Sequence, residues 1–222
     1  MNKKIVLFDI CGTLFKSNTT CDFLDYMFST YNKYLFYKRV YTSFIWRCIN
    51  AISKRIINID LTRIIALRFL KGYNRSYLLT KVDSFYDKIL IGKQNIVVLN
   101  YLHEYLKRSD CRVILLSATI DIVAEIIANK INCTEFYSTQ LEYKDNDLCT
   151  GKIKRDLLGA KLNKINDLGI GGQIELFFTD DISDIPLLKY SKQKEIITNS
   201  IYKKKWVKII NKKKWEIDFI EV

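Results

Sequence analysis

Hydrophobic residues follow two rhythms along this chain. Residues 3–8 (KKIVLF) are a short apolar run that stops at Asp9, the pattern of a strand buried on both faces of a parallel sheet. Gly12 then turns the chain. From about Asp22 to Leu90, apolar and aromatic residues recur every three or four positions. That spacing predicts helices near 21–31, 33–52, 60–70 and 76–90, with no alternating or hairpin pattern between them.

After Gln94 the rhythms alternate. A helix is predicted near 95–108, a buried strand at 112–116 (RVILL), and a helix over 121–130 with Val123, Ile126 and Ile127 on one face. Residues 135–138 read as a short strand. Residues 141–143 and 148–153 read as arms of a hairpin turning through Lys144-Asp145-Asn146-Asp147. A helix near 157–168 precedes a third buried strand at 175–179 (ELFFT). Weaker strands at 196–198 and 217–220 flank a lysine-rich helix. Strands alternating with helices build a parallel α/β sheet, and the all-helical stretch after the first strand is expected as a separate cap.

The 222 residues suffice for one large domain, or for a core with an insert. A chain of this size buries about 70% of its unfolded surface and needs no staples. Hydrophobic content of 49% and charged content of 27% exclude global disorder. Charge-free runs fall well short of the ~20 residues of a spanning helix. The N-terminus leads at once into an apolar strand containing Asp9, unlike a secretory signal. Six cysteines without a CxxC pair, and a single histidine, His103, argue against a zinc site. Reduced thiols and a cytoplasmic location are the expectation.

Charge alters this picture. The net charge is +12, and it is unevenly spread. Residues 31–93 carry a net +10 and residues 189–222 a net +6, while the remainder carries −4. A solvated helical surface explains such asymmetry, and so does an anionic partner.

In a parallel sheet, ligands bind beyond the carboxyl ends of the strands. The first predicted strand ends in Asp9, the second in Ser117-Ala118-Thr119, and the third in Asp180-Asp181 with Asp184 beyond. Lys161 opens the helix before the third strand. Carboxylates from separate strand ends, a hydroxyl and an ammonium would meet in one crevice. Such a set can bind a hard divalent cation through oxygen, and a phosphate through Lys, Ser and backbone N–H groups.

These residues carry a resemblance. Asp9-Ile10-Cys11-Gly12-Thr13-Leu14 resembles the first motif, DxDGTL, of the haloacid dehalogenase (HAD) superfamily. Leu115-Leu116-Ser117-Ala118-Thr119 resembles its second motif. Gly159-Ala160-Lys161 resembles the lysine motif of the phosphoserine-phosphatase-like branch. Thr179-Asp180-Asp181-Ile182-Ser183-Asp184-Ile185-Pro186-Leu187-Leu188 resembles its acidic motif. The resemblance implies a Rossmann-like core, residues 1–16 and 94–222, with a helical C1-type cap over 17–93. It implies a Mg²⁺-dependent phosphomonoesterase acting on a small organic phosphate. Asp9 would be the nucleophile that forms an aspartyl-phosphate. Asp9, the main-chain carbonyl of Cys11, Asp180 and Asp184 would hold the metal, the last directly or through water. Ser117 and Lys161, with Gly12, Thr13 and Ala118 beside them, would hold the phosphate.

Cys11 departs from the family pattern, which has a second Asp there to protonate the leaving oxygen and activate water. A thiol with a pKa near ~8.5 substitutes poorly for a carboxyl. The alternatives are a slow enzyme, one that favours good leaving groups, another proton donor, or a fold that only binds a phosphorylated ligand, a membrane surface or a protein. Asp181 is a further departure, read as solvent-facing or as an extra metal ligand. Lys164 is the alternative to Lys161, one turn later. Thr119 is expected to cap the following helix. Asp145 and Asp147 are expected to be structural, and His103 a packed or surface residue. Residues 31–46 (YNKYLFYKRVYTSFIW) read either as helix core with snorkelling cations or as a cap lip lying on an anionic membrane surface. Scattered basic residues without a recognition motif make nucleic acid the lesser expectation.

Overall fold

The computed structural model describes residues 3–57 and 59–221. Strand β1 (Lys4–Phe8) leads into the helical insert: α1 (Thr19–Met27), α2 (Asn32–Thr42), α3 (Phe44–Ile57), α4 (Leu61–Leu67) and α5 (Arg75–Phe85). Then follow α6 (Ile96–Lys107), β2 (Cys111–Ile120), α7 (Asp121–Lys130), β3 (Phe136–Lys144), β4 (Leu148–Arg155), α8 (Lys161–Asp167), β5 (Ile174–Thr179), α9 (Ile185–Leu188), β6 (Gln193–Thr198), α10 (Ser200–Lys213) and β7 (Asp218–Glu221). The seven strands form one sheet in the order β4-β3-β2-β1-β5-β6-β7. Every neighbouring pair is parallel except the β3–β4 hairpin.

Continuous apolar runs are explained by burial on both faces. Ile5 and Leu7 of β1 pack with Ile114, Leu116, Phe177 and Trp206, on the side covered by α8 and α10. Val6 and Phe8 pack with Leu115 and Phe178, on the side that α6, α7, α1 and α5 share. The rings of Phe8 and Phe178 stack with centroids 4.4 Å apart. The sheet and the insert thus share one hydrophobic cluster, which fixes the insert above the strand ends.

Several elements differ from the sequence pattern for local reasons. The helix expected over 33–52 breaks at Ser43, whose backbone is extended (φ −64°, ψ 149°) and whose hydroxyl caps the amide of Trp46 at 3.3 Å. The helix expected from 157 starts at Lys161, because Gly159 takes a left-handed φ of 69°. The short strands expected at 135–138 and 141–143 merge into β3 through irregular pairing about Gln140 and Leu141. The hairpin turn lies where expected, with Asn146 and Asp147 at φ 59° and 56°. The second strand continues past 116 to Ile120, so that Ser117-Ala118-Thr119 is extended chain. Thr119 does not cap α7. Its hydroxyl is bonded to Thr19 at 2.7 Å and Thr20 at 3.1 Å, on the first turn of α1.

Candidate active site

Lys161 stands at the centre of the strand-end cluster. It is buried, and its Nζ lies 2.7 Å from Asp184 Oδ2 and 2.8 Å from Asp9 Oδ2. Asp9 ends β1, Asp184 follows β5, and Lys161 opens α8, so three separate elements deliver one ion cluster. Thr179 Oγ1 donates to the same Asp184 oxygen at 2.6 Å. Burial opposes the charge on Lys161, but the carboxylates of Asp184 and Asp9 outweigh it and hold its pKa above the usual range. Burial raises Asp184 to about 6, against the pull of Lys161.

Asp180 approaches from the end of β5. Thr13 Oγ1 donates to its Oδ1 at 3.3 Å. Gly12 makes this approach feasible: it has φ 69°, and a Cβ there would lie 2.0 Å from Asp180 Oδ2. Burial, then the negative charges of Asp9 and Asp181, lift the Asp180 carboxyl to about 8. A carboxyl under this repulsion is poised for a cation. Among the described residues, no three His, Cys, Asp or Glu side chains form a ready metal cage. The donors at hand are oxygens, a set that suits a hard ion completing its shell with main-chain, water and substrate oxygens, as Mg²⁺ does.

The other predicted residues take distinct places. Ser117 is fully buried and lines the same cavity, with Ala118 beside it. Lys164 turns away, its Nζ 4.1 Å from the centre of the Tyr137 ring, which leaves Lys161 as the lysine of the cluster. Asp181 accepts from the amide of Ser183 at 2.8 Å and so caps the short turn that carries Asp184. Cys11 lines the cavity, its Sγ 3.0 Å from the Thr19 hydroxyl. Burial, and after it the charge of Asp9, push this thiol up, so it is a neutral S–H at neutral pH. His103 is exposed.

The cavity has a volume of about 950 Å³. Its floor includes Asp9, Lys161 and Asp180, and its roof comes from Tyr41, Thr42, Arg47 and Asn50 of the insert. Arg63 was not singled out by the sequence. It donates to Ala118 O and Thr139 Oγ1, each at 2.7 Å, and pairs with Asp156 at 2.7 Å. It ties α4 to the end of β2. No local pattern marks it, since these partners lie 55, 76 and 93 residues away in sequence.

A capped parallel sheet with acids and a buried lysine at its carboxyl edge defines the class of this protein. The sequence profile of haloacid dehalogenase-like hydrolases matches residues 6–189, and the chain belongs to that family. No curated protein sequence matches it. Solved structures share the fold at low identity. A protein of unknown function from Bordetella pertussis Tohama I has a TM-score of 0.76 at 17% identity, over 98% of this chain and 99% of its own. Cytosolic 5'-nucleotidase IIIB bound to cytidine has a TM-score of 0.68 at 10% identity, over 98% and 80%. A phosphoserine phosphatase, solved as an analogue of its phospho-aspartyl intermediate, has a TM-score of 0.60 at 20% identity, over 99% and 94%.

Proposed function

We propose that this chain is a Mg²⁺-dependent phosphomonoesterase acting on a small phosphorylated metabolite, with Asp9 as nucleophile. The observation that carries this reading is the buried Lys161 held between Asp9 and Asp184 on the cavity floor. Asp9 would form a bond to phosphorus in line with the ester oxygen, whose bond to phosphorus breaks as that oxygen takes up a proton. Water would then release phosphate from the aspartyl-phosphate. Lys161 and Ser117 would hold the phosphoryl oxygens, together with main-chain N–H groups of the Gly12–Thr13 turn and Ala118. Asp9, Asp180 and the Cys11 carbonyl would hold Mg²⁺, with Asp184 reached directly or through water. Bound there, the ion would offset the charge of the transferring group.

The division of the chain belongs to the same proposal. The two segments that leave and rejoin the core are paired: Phe15 bridges Gln94, and the Lys16 amide donates to Lys93 O at 2.7 Å. This supports a cap of residues 17–93 set on a core of 1–16 and 94–222. Six free cysteines suit a reducing compartment such as the cytoplasm.

Cys11 favours a second reading, a slow or purely binding member of the family. Its thiol is neutral and engaged by Thr19, so no carboxyl stands where a leaving oxygen needs its proton. Hydrolysis of p-nitrophenyl phosphate by the wild type and Asp9→Asn, with and without Mg²⁺, separates the two. Metal-dependent turnover that Asp9→Asn abolishes supports the enzyme. Absence of turnover in the wild type, with phosphate still bound, supports the binding protein.

A further inference from the structure

Helix α3 is inverted relative to an ordinary surface helix. Its inward side carries polar groups in use. Trp46 Nε1 donates to Thr62 Oγ1 at 2.8 Å, Asn50 Nδ2 to Asp60 Oδ1 at 3.1 Å, and Ser53 Oγ to Ile59 O at 2.9 Å. Its outward side carries Ile45, Ile49, Ile52 and Ile56, spaced by four, three and four residues, which is one stripe on a helix. Ile45, Ile52 and Ile56 are 73%, 57% and 74% exposed, and Phe44 beside them is 79% exposed. On α2, Phe36 and Val40 are also exposed one turn apart, while Tyr34 and Tyr37 are buried. Large aliphatic side chains arranged this way normally face a core, or something that covers them.

The charge around the stripe has one sign. Residues 26–59 contain six Lys and Arg and no Asp or Glu. Lys33, Arg39 and Arg55 are exposed and lie outside the cavity lining. We propose that the outer face of α2 and α3 docks on an anionic lipid surface. The isoleucine stripe would lie at the acyl boundary and the cations among the headgroups. The stripe runs about 16 Å along the axis of α3, so it would lie flat in the interface. Among the described residues, no helix is long and apolar enough to cross a membrane.

Charge complementarity selects this occupant. A second copy of the chain would bring like charges together around an apolar patch. Nucleic acid would satisfy the cations and leave the isoleucines in water. A bilayer with anionic headgroups satisfies both. The inference does not depend on the catalytic reading, because Ile45, Ile49, Ile52 and Ile56 do not line the cavity.

Vesicle sedimentation tests it. The probes are phosphatidylcholine alone, and equal parts phosphatidylcholine and phosphatidylglycerol. The wild type should sediment with the mixed vesicles only, and added salt should release it. Arg39→Gln and Arg55→Gln should each lower partitioning about fivefold. Ile45→Glu combined with Ile52→Glu should lower it more than about tenfold, with unchanged circular dichroism and unchanged turnover of soluble p-nitrophenyl phosphate. A folded wild type that stays in the supernatant with mixed vesicles at low salt overturns the proposal. So does vesicle binding that the double variant retains. A dimer that this variant dissociates, without vesicle binding, assigns the face to a second copy and also overturns it.

Discussion

The Cys11 thiol sits 3.0 Å from the hydroxyl of Thr19, and Thr19 is in turn bonded to Thr119 at 2.7 Å. Residue 11 therefore meets the first turn of α1 on the underside of the cap. Any proton passed at this position would travel beside a chain of hydroxyls that also joins α1 to β2.

Cys11→Asp is expected to raise turnover. A carboxyl at this position can give and take a proton near neutral pH, and such assistance is worth ~10²–10⁴-fold. Rates of p-nitrophenyl phosphate hydrolysis with Mg²⁺ check this. Equal rates in the variant and wild type would show that another group already moves the proton.

Lys161→Met is expected to remove activity and to weaken the fold. Two buried carboxylates, Asp9 and Asp184, would lose their shared cation. Breaking a buried pair from one side costs about 3–5 kcal/mol. Urea unfolding measures the loss as a lower midpoint. Full stability in the variant would contradict the central place given to this lysine.

Gly12→Ala is expected to dislodge Asp180. A methyl there would lie 2.0–2.7 Å from the atoms of the Asp180 carboxyl group, on a backbone with φ 69°. The wild type should gain thermal stability with Mg²⁺, about 2.7 kcal/mol at a hundredfold excess over Kd. Gly12→Ala should lose most of that gain. Differential scanning fluorimetry with a chelator as the reference reads both.

Glu195 should make stability fall as pH rises. It lies opposite Asp218 in the β6–β7 register, and burial, then that neighbour, lift it from 4.5 to about 7. The folded chain keeps this proton where the unfolded chain releases it, so folding is progressively disfavoured from about pH 4.5 to 7. Because the group is only partly buried, the effect is about 1 kcal/mol or less. Glu195→Gln should flatten that slope and be the more stable protein above pH 7. Denaturation midpoints across this range test the sign.

Much of the centre was legible because strand ends are marked in the sequence. Asp9, Ser117 and Asp180 each follow an apolar run, and Lys161 opens its helix two residues after Gly159. The parallel sheet followed from the same runs. What stayed hidden depends on distant partners. Arg63 gains its role only from Ala118, Thr139 and Asp156, brought near by the fold. Thr119 reads as a helix cap until Thr19 and Thr20 claim its hydroxyl. The spacing of Ile45, Ile49, Ile52 and Ile56 identifies a helix and an apolar face. Periodicity does not say which way that face turns, and here Trp46, Asn50 and Ser53 take the inner side.

One margin of the cap is stitched to the sheet through the main chain. Gly72 N donates to Cys149 O at 2.8 Å, and Cys149 N returns a bond to Tyr73 O at 2.9 Å, so β4 and the turn before α5 are joined main chain to main chain. Arg63 rivets the same flank. The roof is fastened to that flank as well: Tyr37 of α2 donates to Thr62 O at 2.5 Å and Trp46 of α3 to Thr62 Oγ1 at 2.8 Å, beside Arg63 on α4, so one residue of that helix anchors both roof helices over the cavity.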